Sequence, residues 1–282
     1  MSNLVLLDCD YLCRRAFYTT GSLSYNGEGT GVAYGLFQSL LTLAKDFSRP
    51  RYVFCWDVGR PHRASLLSQY KATRRIKRRE GTPFEKARER AYQTEVKALR
   101  REHLFAVGFR NVFWSGGYEA DDLLAAQASY LEAVTDSKIT IVTNDSDLLQ
   151  TLTSRVSVWN PVKRELWTPD ALLKRHGVTP QQWIDVKCIA GCSSDDIPGV
   201  SGVGEKTALR YVLGQLGANT TTHKKITDAL PQLRANKKLV TLPFPETPFW
   251  NLESDCVTPT KWRSVCRQLG FRSLVLRGWE FT

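Results

Sequence analysis

Residues 4–8 read LVLLD, an unbroken apolar run that ends in a carboxylate. The same arrangement recurs in residues 51–57, RYVFCWD, and in residues 138–147, KITIVTNDSD. Short continuous apolar runs are typical of strands buried on both faces of a parallel sheet. Because the carboxyl ends of parallel strands meet at one edge of the sheet, we expect the acidic side chains after these runs to converge there.

Helical patterns lie between the apolar runs. Residues 31–47 place apolar side chains at helical spacing, and a further strand candidate at 111–114 leads through two glycines into a helical stretch at 119–133. Strands that alternate with helices build right-handed βαβ units. The sequence therefore predicts an α/β fold with a parallel sheet and a ligand site beyond the carboxyl ends of its strands.

The pattern changes after about residue 170 to short helices punctuated by Gly and Pro. Two parts are expected, a core over residues 1–180 and a helical region with a tail over residues 181–282. No flexible linker separates them, so we expect them to share a hydrophobic core. Helices are predicted at 169–176, 180–190, 205–216 and 220–235, and strands at 239–242 and 271–276.

Positive charges outnumber negative charges by 11, and the isoelectric point is about 9.4. Much of this excess lies in residues 70–101, which hold 12 Lys or Arg against 4 Glu. A basic stretch of this kind suits a polyanionic partner. On charge alone, a solvated helical face and an anionic membrane surface remain open alternatives to nucleic acid.

The seven cysteines form no CxxC pair, and the histidines lack the spacing of a structural zinc site. The N-terminus, MSNLVLLDCD, has neither the basic region nor the apolar length of a signal peptide. The most apolar stretch, 31–44, is too short and too polar to cross a bilayer. We therefore expect free thiols, no membrane partner and a cytoplasmic location.

Nine acidic residues stand in short motifs, most of them at or near predicted strand ends. They are Asp8, Asp57, Glu119, Asp121, Asp122, Asp145, Asp147, Asp195 and Asp196. So many like charges share one pocket only when cations neutralise them, and oxygen ligands suit Mg²⁺ or Mn²⁺. Taken singly, each acid has a structural alternative such as a helix cap or a turn contact.

The spacing of these acids predicts two pairs. On a helix, Glu119 and Asp122 stand three residues apart and face the same way. In extended backbone, Asp145 and Asp147 point to one face of the chain. Each pair would then hold one ion.

Residues 197–207, IPGVSGVGEKT, predict a phosphate-binding turn. Gly202 and Gly204 would open a helix whose free amides bind an anion, and Lys206 and Thr207 would add contacts in its first turn. The alternative is an ordinary turn between helices. Short helices on both sides favour a helix-hairpin-helix unit, which grips backbone phosphates without reading sequence.

The basic stretch begins YKATR at residue 70, and Gly-Thr-Pro at 81–83 interrupts it. We expect one helix that ends near residue 79 and a second helix over 84–103. Tyr70 is expected to stack on a base, and Lys71 or Arg74 to contact the scissile phosphate. The further candidate DNA contacts in this stretch are Arg75, Lys77 and Arg78.

Together these motifs resemble the 5′-nuclease, or flap endonuclease, family in its bacterial and phage branch. The matching segments follow the family's order from residue 6 to about residue 208, roughly three-quarters of the chain. They are LLDCDYLCRRAFY, VFCWD, YKATR, GYEADDLLA, IVTNDSDLLQ, GVTPQQWIDVKCIAG and SSDDIPGVSGVGEKTA.

The resemblance implies a PIN-like nuclease core, a helical arch at about 70–101 and a helix-three-turn-helix DNA-binding region. The implied first metal site consists of Asp8, Asp57, Glu119 and Asp121, with Asp122 close by, and the second of Asp145, Asp147 and Asp195. The resemblance places Tyr70, Lys71 and Arg74 at the base of the arch. It also places Gly202, Gly204 and Lys206 against duplex backbone, with a K⁺ ion at the hairpin.

Two positions depart from the family pattern. The family commonly has Asp where this chain has Cys192, and Asn where it has Asp196. A thiol is a poor ligand for Mg²⁺. Three explanations stay open: Asp196 replaces the missing carboxylate, the second site is weaker and turnover is reduced, or the missing ligand acts through water.

The expected function is that of a 5′-3′ exonuclease and flap endonuclease. Two Mg²⁺ or Mn²⁺ ions would activate water and stabilise the leaving 3′ oxygen. The expected substrates are DNA with free or flapped 5′ ends, RNA primers and RNA–DNA hybrids, cut by a monomer in a bacterial cell or a phage-infected host. A PIN-type ribonuclease and a non-catalytic branched-DNA-binding protein are the alternatives. Trp250, Trp262 and Trp279 are expected to pack within the fold.

Overall fold

The structure, a computed structural model, describes residues 3–277. Its strands are β1 Asn3–Asp8, β2 Ser24–Tyr25, β3 Glu28–Gly29, β4 Arg51–Trp56, β5 Val112–Trp114, β6 Lys138–Val142, β7 Val156–Asn160 and β8 Glu165–Trp167. Six of them form one sheet in the order β5-β4-β1-β6-β7-β8, in which neighbours run parallel except for the antiparallel pair β7–β8. β2 and β3 form a separate hairpin. The predicted α/β class with a parallel sheet is confirmed.

Helices cover both faces of this sheet. In chain order they are α1 Cys9–Thr19, α2 Gly31–Asp46, α3 Arg63–Leu66, α4 Ala72–Glu80, α5 Pro83–Ala98, α6 Leu104–Val107, α7 Ala120–Val134, α8 Pro169–His176, α9 Pro180–Ala190, α10 Glu205–Val212, α11 Thr221–Asp228, α12 Leu230–Val240 and α13 Pro259–Gln268. A π-helical turn, Leu99–His103, joins α5 to α6, and 3₁₀ turns span Ser146–Thr151 and Ser193–Asp195.

The central strand β1 shows why its apolar run is continuous. Val5 and Leu7 pack on one face of the sheet, in a cluster that includes residues of α1, α2 and α13. Leu4 and Leu6 pack on the other face, with residues of α7 and α9. Successive side chains of a strand point to opposite faces, so a strand covered on both sides needs an apolar residue at every position.

The carboxyl end of the sheet collects the acids that the sequence places after its strands. β1 pairs with β4 and β6 in register, so Leu7 lies beside Phe54 and Val142. Asp8 ends β1, and Asp57 follows β4 directly. The predicted convergence of strand-end carboxylates at one edge is therefore present in the fold.

The basic stretch 70–101 is helical and is interrupted at the predicted place. Every side chain of α4 is exposed or half-buried. α5 begins with a capping box, in which the Thr82 side chain accepts a hydrogen bond from the Glu85 backbone and the Glu85 side chain accepts one from the Thr82 backbone. Further along α5, Tyr92 and Val96 are buried in the core. This stretch is therefore anchored through α5, while α4 lies against solvent.

Two predicted strands are wrong. Leu239 and Val240 lie in the last turn of α12, where they are buried beside Tyr70 and Ile197. Residues 271–276 form turns instead of a strand. A four-residue apolar run does not distinguish a strand from the buried face of a helix.

The predicted helix at 220–235 is divided into α11 and α12. Pro231 stands in the first turn of α12, where it lacks a backbone N–H to continue the preceding helix. Trp262 is fully buried and Trp250 is half-buried, as expected for packing residues. Trp279 lies outside the described residues.

Residues on both sides of position 180 pack into one apolar cluster. Leu148 and Leu172 share it with Trp183, Val203 and Ala208. The domain boundary near residue 180 stays a prediction. Over residues 3–277, no helix is long and apolar enough to cross a membrane.

Candidate active site

Asp8 ends β1 at the carboxyl edge of the sheet and caps α1. Its Oδ1 accepts a hydrogen bond from the backbone N–H of Tyr11 at 3.0 Å, and its Oδ2 accepts one from the hydroxyl of Thr143 at 2.7 Å. Only 7% of Asp8 is exposed. Burial raises the pKa of Asp8 to about 7, and the charges of Asp57 and Asp145 add to that rise.

Asp57 follows β4 and is held by contacts from two other segments. Its Oδ1 accepts a hydrogen bond from the backbone N–H of Ala120 at 2.6 Å, in the first turn of α7. Its own backbone N–H donates to Oδ2 of Asp10 at 2.6 Å. Burial raises the pKa of Asp57, while the charge of Lys71 opposes the rise. A carboxylate in this position also benefits from the N-terminal end of the α7 dipole.

Asp10 is a site residue that was not predicted. It lies in the first turn of α1, and burial together with the charge of Asp57 raises its pKa well above the usual value. Arg100, from the π-helical turn, opposes that rise and points Nη1 to the Asp57 carbonyl oxygen at 3.4 Å. The DCD spacing of residues 8–10 could have indicated Asp10, because a helix that follows a strand directly keeps both acids at the same edge.

Asp121 and Asp145 complete a first cluster, defined as Asp8, Asp10, Asp57, Asp121 and Asp145. Burial raises the pKa of Asp121 well above its usual value, and the charges of Asp145, Asp8 and Asp57 raise it further. Burial also raises the pKa of Asp145. These carboxylates are close enough to repel one another, so the cluster needs either protons or cations. Its oxygen donors fit a hard divalent ion such as Mg²⁺ or Mn²⁺.

Glu119 connects the first cluster to the base of the basic stretch. It accepts a hydrogen bond from the hydroxyl of Tyr70 at 2.6 Å and forms an ion pair with Lys71. Burial alone would lower the pKa of Lys71, but Glu119 and Asp195 raise it above its usual value. Tyr70 is only 2% exposed, so its predicted stacking on a base is wrong. Its hydroxyl instead orients Glu119.

Asp122 is fully buried, and structural contacts take up its carboxylate. Both of its oxygens pair with the guanidinium of Arg63, which is 3% exposed. Oδ1 also accepts a hydrogen bond from the backbone N–H of Phe244 at 2.8 Å, and Oδ2 accepts one from that of Glu119 at 3.2 Å. The prediction that Asp122 shares an ion with Glu119 is therefore wrong, because both of its oxygens already serve these partners. Nothing in the local sequence around Arg63 indicates this pairing.

Asp145 and Asp147 stand at the start of a 3₁₀ turn and not in extended backbone. Oδ1 of Asp145 accepts a hydrogen bond from the backbone N–H of Asp147 at 2.8 Å and caps the turn. The predicted geometry, with both acids on one face of a strand, is wrong. The turn directs Asp145 to the first cluster and Asp147 to a second cluster, defined as Asp147, Cys192 and Asp195. The ligand atoms of the second cluster all lie within 4.8 Å of one another.

Asp196 does not take the place of the carboxylate missing at position 192. Its two oxygens accept hydrogen bonds from the backbone N–H of Thr73 at 2.9 Å and from the Thr73 hydroxyl at 2.6 Å. These bonds lower the pKa of Asp196. Thr73 lies in the first turn of α4, so Asp196 caps the arch helix from a distant segment. Asp196 is thus directed to the arch helix and lies outside the second cluster, and its metal contact stays a prediction.

Three cations lie against the second cluster. Lys187 Nζ is 2.7 Å from Oδ1 of Asp147, as an ion pair without hydrogen-bond geometry. Arg74 Nη2 is 3.2 Å and Lys71 Nζ is 3.6 Å from Oδ1 of Asp195. Lys71 and Arg74 are thus where the sequence placed them, at the junction of the arch and the carboxylates. Lys187, on α9, was not predicted, because only the packing of α9 on the turn after β6 brings it here.

The candidate DNA-binding residues lie on the surface. Gly202 has φ 76°, Gly204 precedes α10, and an added Cβ at either position would meet no described atom within 4 Å. Lys206 is exposed and Thr207 is half-buried. In the arch, Arg75, Lys77 and Arg78 are exposed. The structure thus leaves these residues accessible, and their contact with DNA stays a prediction.

The chain matches a family model described as the 5′-3′ exonuclease, N-terminal resolvase-like domain, over residues 3–177. It is 34% identical over 222 residues to the 5′-3′ exonuclease of Bacillus subtilis (strain 168), covering 75% of this chain and 70% of that protein. It is also 34% identical over 218 residues to DNA polymerase I of Mycobacterium leprae (strain TN), covering 74% of this chain and 22% of the polymerase.

Solved structures share the fold at lower sequence identity. T5 5′-exonuclease with bound zinc ions has a TM-score of 0.74 and 24% identity, over 86% of this chain and 90% of that one. The catalytic core of Rad2 in complex with a DNA substrate has a TM-score of 0.55 and 14% identity, over 95% and 88% of the two chains. The PIN-like architecture around the carboxylates is therefore shared well beyond the range of sequence similarity.

The fold and the carboxylate edge define a nuclease with a PIN-like core. Within that class, the chain belongs to the 5′-3′ exonuclease family. The resemblance seen in the sequence motifs is confirmed.

The first cluster predicts how stability depends on pH. A carboxylate with a raised pKa holds its proton more tightly in the folded chain than in the unfolded chain. Its contribution to the free energy of unfolding is therefore fully present below the pKa of the unfolded chain. That contribution is lost as the pH rises through the pKa of the folded chain, which is about 7 for Asp8. For the metal-free protein in the presence of a chelator, the melting temperature should decrease as the pH is raised from about 5 to about 8. Saturating Mg²⁺ should reduce this fall, and Asp8→Asn should also reduce it without metal. A metal-free protein that is equally stable at both pH values would contradict this expectation.

The buried Arg63–Asp122 pair should contribute strongly to stability. Asp122→Ala leaves the Arg63 guanidinium without its buried partner, so we expect a loss of about 3–5 kcal/mol in denaturant unfolding. The matched control is Asp185→Ala, which breaks the exposed pair with Lys237 and should cost less than about 1 kcal/mol. Equal effects of the two substitutions would mean that Asp122 has no special structural role.

Asp10 should act by holding the backbone of Asp57. In Asp10→Ala the Asp57 N–H loses its acceptor, and we expect Mn²⁺ affinity, measured by calorimetry, to fall about tenfold or more. Asp10→Asn keeps an acceptor oxygen and should stay within about threefold of the parent. If the two variants lose affinity equally, the charge of Asp10 matters and its hydrogen bond does not.

Proposed function

We propose that the protein is a structure-specific 5′-nuclease that hydrolyses phosphodiester bonds of DNA near free or flapped 5′ ends. The observation that carries this proposal is the contact of Lys71, at the base of the arch, with Glu119 beside the first cluster. A strand that passes the arch would bring its phosphates directly to the carboxylate edge. The names of the relatives, a 5′-3′ exonuclease and DNA polymerase I, support the same substrate class.

Two divalent ions are part of this proposal, Mg²⁺ or Mn²⁺ at the first cluster and a second ion at the second cluster. Ions bound in such sites lower the pKa of water and neutralise the leaving oxygen. Asp8, Asp57 and Asp121 would hold the first ion, with Glu119 beside them. Their fit rests on oxygen donors that converge at one edge of the sheet and on the pKa values of Asp8 and Asp121, which desolvation raises first and the charges of neighbouring carboxylates raise further.

Lys71 and Arg74 would bind the scissile phosphate. Lys71 is 20% exposed and fixed by Glu119, so it is oriented before substrate arrives. The Arg74 side chain is 51% exposed and pairs with Asp195, which leaves it free to exchange that carboxylate for a phosphate. Donors placed in advance stabilise the developing charge without rearrangement. Tyr70 contributes by orienting Glu119.

The arch and the hairpin would hold the DNA on either side of the cut. Arg75, Lys77 and Arg78 would contact the single strand through its phosphates, so binding should weaken as salt rises. Gly202 and Gly204, with Lys206 and Thr207, would contact the duplex backbone at the start of α10, with K⁺ as the expected ion there. RNA primers and RNA–DNA hybrids are further candidate substrates. The helix-three-turn-helix role, a monomeric state and a cytoplasmic location stay predictions.

The decisive experiment is cleavage of a 5′-labelled DNA flap in Mg²⁺ under single-turnover conditions. The parent should cut near the flap junction, and Asp8→Ala, Asp145→Ala and Lys71→Ala should each slow cleavage about a hundredfold or more. Asp136→Ala is the matched control, because this carboxylate is fully exposed and should leave the rate unchanged.

Other outcomes distinguish the alternative functions. Preferential cutting of linear RNA over the flap would identify a PIN-type ribonuclease. Tight flap binding without cleavage in Mg²⁺ or Mn²⁺ would identify a branched-DNA-binding protein, a reading that the thiol at position 192 makes worth testing. Rates within a few-fold of the parent for Asp8→Ala would remove the carboxylates from the mechanism.

A further inference from the structure

The second cluster contains a thiol in a rigid position. Cys192 forms an isolated bridge with Ile197, in which each backbone N–H donates to the other's carbonyl oxygen at 3.0 Å. The Cys192 side chain is half-buried, and its Sγ lies 3.1 Å from the hydroxyl of Ser194. Within 4.8 Å it meets the ligand oxygens of Asp147 and Asp195. Three potential metal ligands therefore lie together, and a backbone bridge fixes the position of Cys192 among them.

Two oxygens of this cluster are paired with cations and accept no other contact from the described residues. Oδ1 of Asp147 and Oδ1 of Asp195 are shielded from solvent, yet neither accepts a hydrogen bond from the described residues. Lys187 and Arg74 lie close to them, at 2.7 Å and 3.2 Å, but without hydrogen-bond geometry. A divalent ion bound between these oxygens would replace their contacts with the ammonium and guanidinium groups.

The donor set does not suit Mg²⁺. Mg²⁺ takes oxygen ligands, and a thiol is a poor substitute for the carboxylate that it would need. Two carboxylates here also face three cations, Lys71, Arg74 and Lys187, which disfavour an ion that is held by charge alone. A thiolate would add a third negative charge and a softer donor. Soft and mixed donors favour borderline ions such as Zn²⁺ and Co²⁺.

We propose that Asp147, Cys192 and Asp195 form a mixed carboxylate–thiolate site for a borderline divalent ion of the Zn²⁺ or Co²⁺ type. Cys192 gives up its thiol proton to solvent as its sulfur binds the ion. The nuclease would then carry two unlike metal sites, an all-oxygen first site and a thiolate-containing second site. This inference rests on the proposed function only for the role of the ion, and not for its binding.

The test is a titration with Co²⁺, followed through the near-ultraviolet sulfur-to-cobalt charge-transfer absorption. The parent should develop a saturable band that excess Mg²⁺ leaves in place and that Zn²⁺ abolishes. In Cys192→Ser the band should be at least about tenfold weaker. In Cys192→Asp the band should also disappear, while Mg²⁺ affinity measured by calorimetry should rise about tenfold.

A second cysteine provides the matched control. Cys256 is the other half-buried thiol, and it lies near Arg110 and Lys261. Cys256→Ser should keep the full band. A parent without a band, or a band that survives Cys192→Ser in a folded protein, would overturn the proposed site.

The same samples separate this inference from the proposed nuclease function. A thiolate band in a protein that fails to cut DNA flaps would support the proposed metal site and contradict the proposed nuclease function. Flap cleavage by a parent protein without the band would support the proposed nuclease function and contradict the role of Cys192 as a metal ligand.

Discussion

Asp8, Asp57, Asp121 and Asp145 meet at one edge of the sheet, where Asp8 is buried, Asp121 is half-buried, and Asp57 and Asp145 are exposed. The charges of Asp57 and Asp145 raise the pKa of both Asp8 and Asp121. Charges that are shielded from water repel strongly, so this edge is stable only with compensation. The N-termini of α1 and α7 compensate part of the charge through backbone donors to Asp8 and Asp57. Divalent ions held there, as in the proposed function, would complete the compensation and would couple metal binding to the folding of this edge.

Arg63 neutralises a further carboxylate near this edge. It pairs with Asp122, and its Nε donates to the carbonyl oxygen of Leu239 at the end of α12. Asp122 in turn accepts a hydrogen bond from the backbone N–H of Phe244. One buried ion pair therefore joins the loop after β4, the start of α7 and the chain after α12. The carboxylate that follows Glu119 and Asp121 in the sequence is thereby used for structure.

The first helix of the arch, α4, is connected to the acids by charge rather than by apolar packing. Asp196 caps α4, Lys71 and Arg74 pair with Asp195, and Lys71 also reaches Glu119. Every side chain of α4 is exposed or half-buried. A change of charge in the second cluster, by an ion or by a phosphate, therefore acts directly on the base of the arch. Because position 192 carries a thiol where the family commonly has Asp, the second cluster has one negative charge fewer. Lys71, Arg74 and Lys187 therefore balance a larger share of the remaining negative charge.

The sequence by itself determined the α/β class, the strand-end positions of Asp8 and Asp57, and the interruption of the arch at residues 81–83. These features depend on local periodicity and on Pro and Gly chemistry, which neighbouring residues reveal. Only the tertiary structure decided which acids face the site. Arg63 takes Asp122 from 59 positions away, and Asp196 turns to Thr73 over 123 positions. The DCD spacing places Asp10 at the same edge, but its contact with the Asp57 backbone exists only in the folded chain, as does the contact of Lys187 on α9 with Asp147. Such pairings depend on which segments meet after folding, and the spacing of residues along the chain does not predict those long-range contacts.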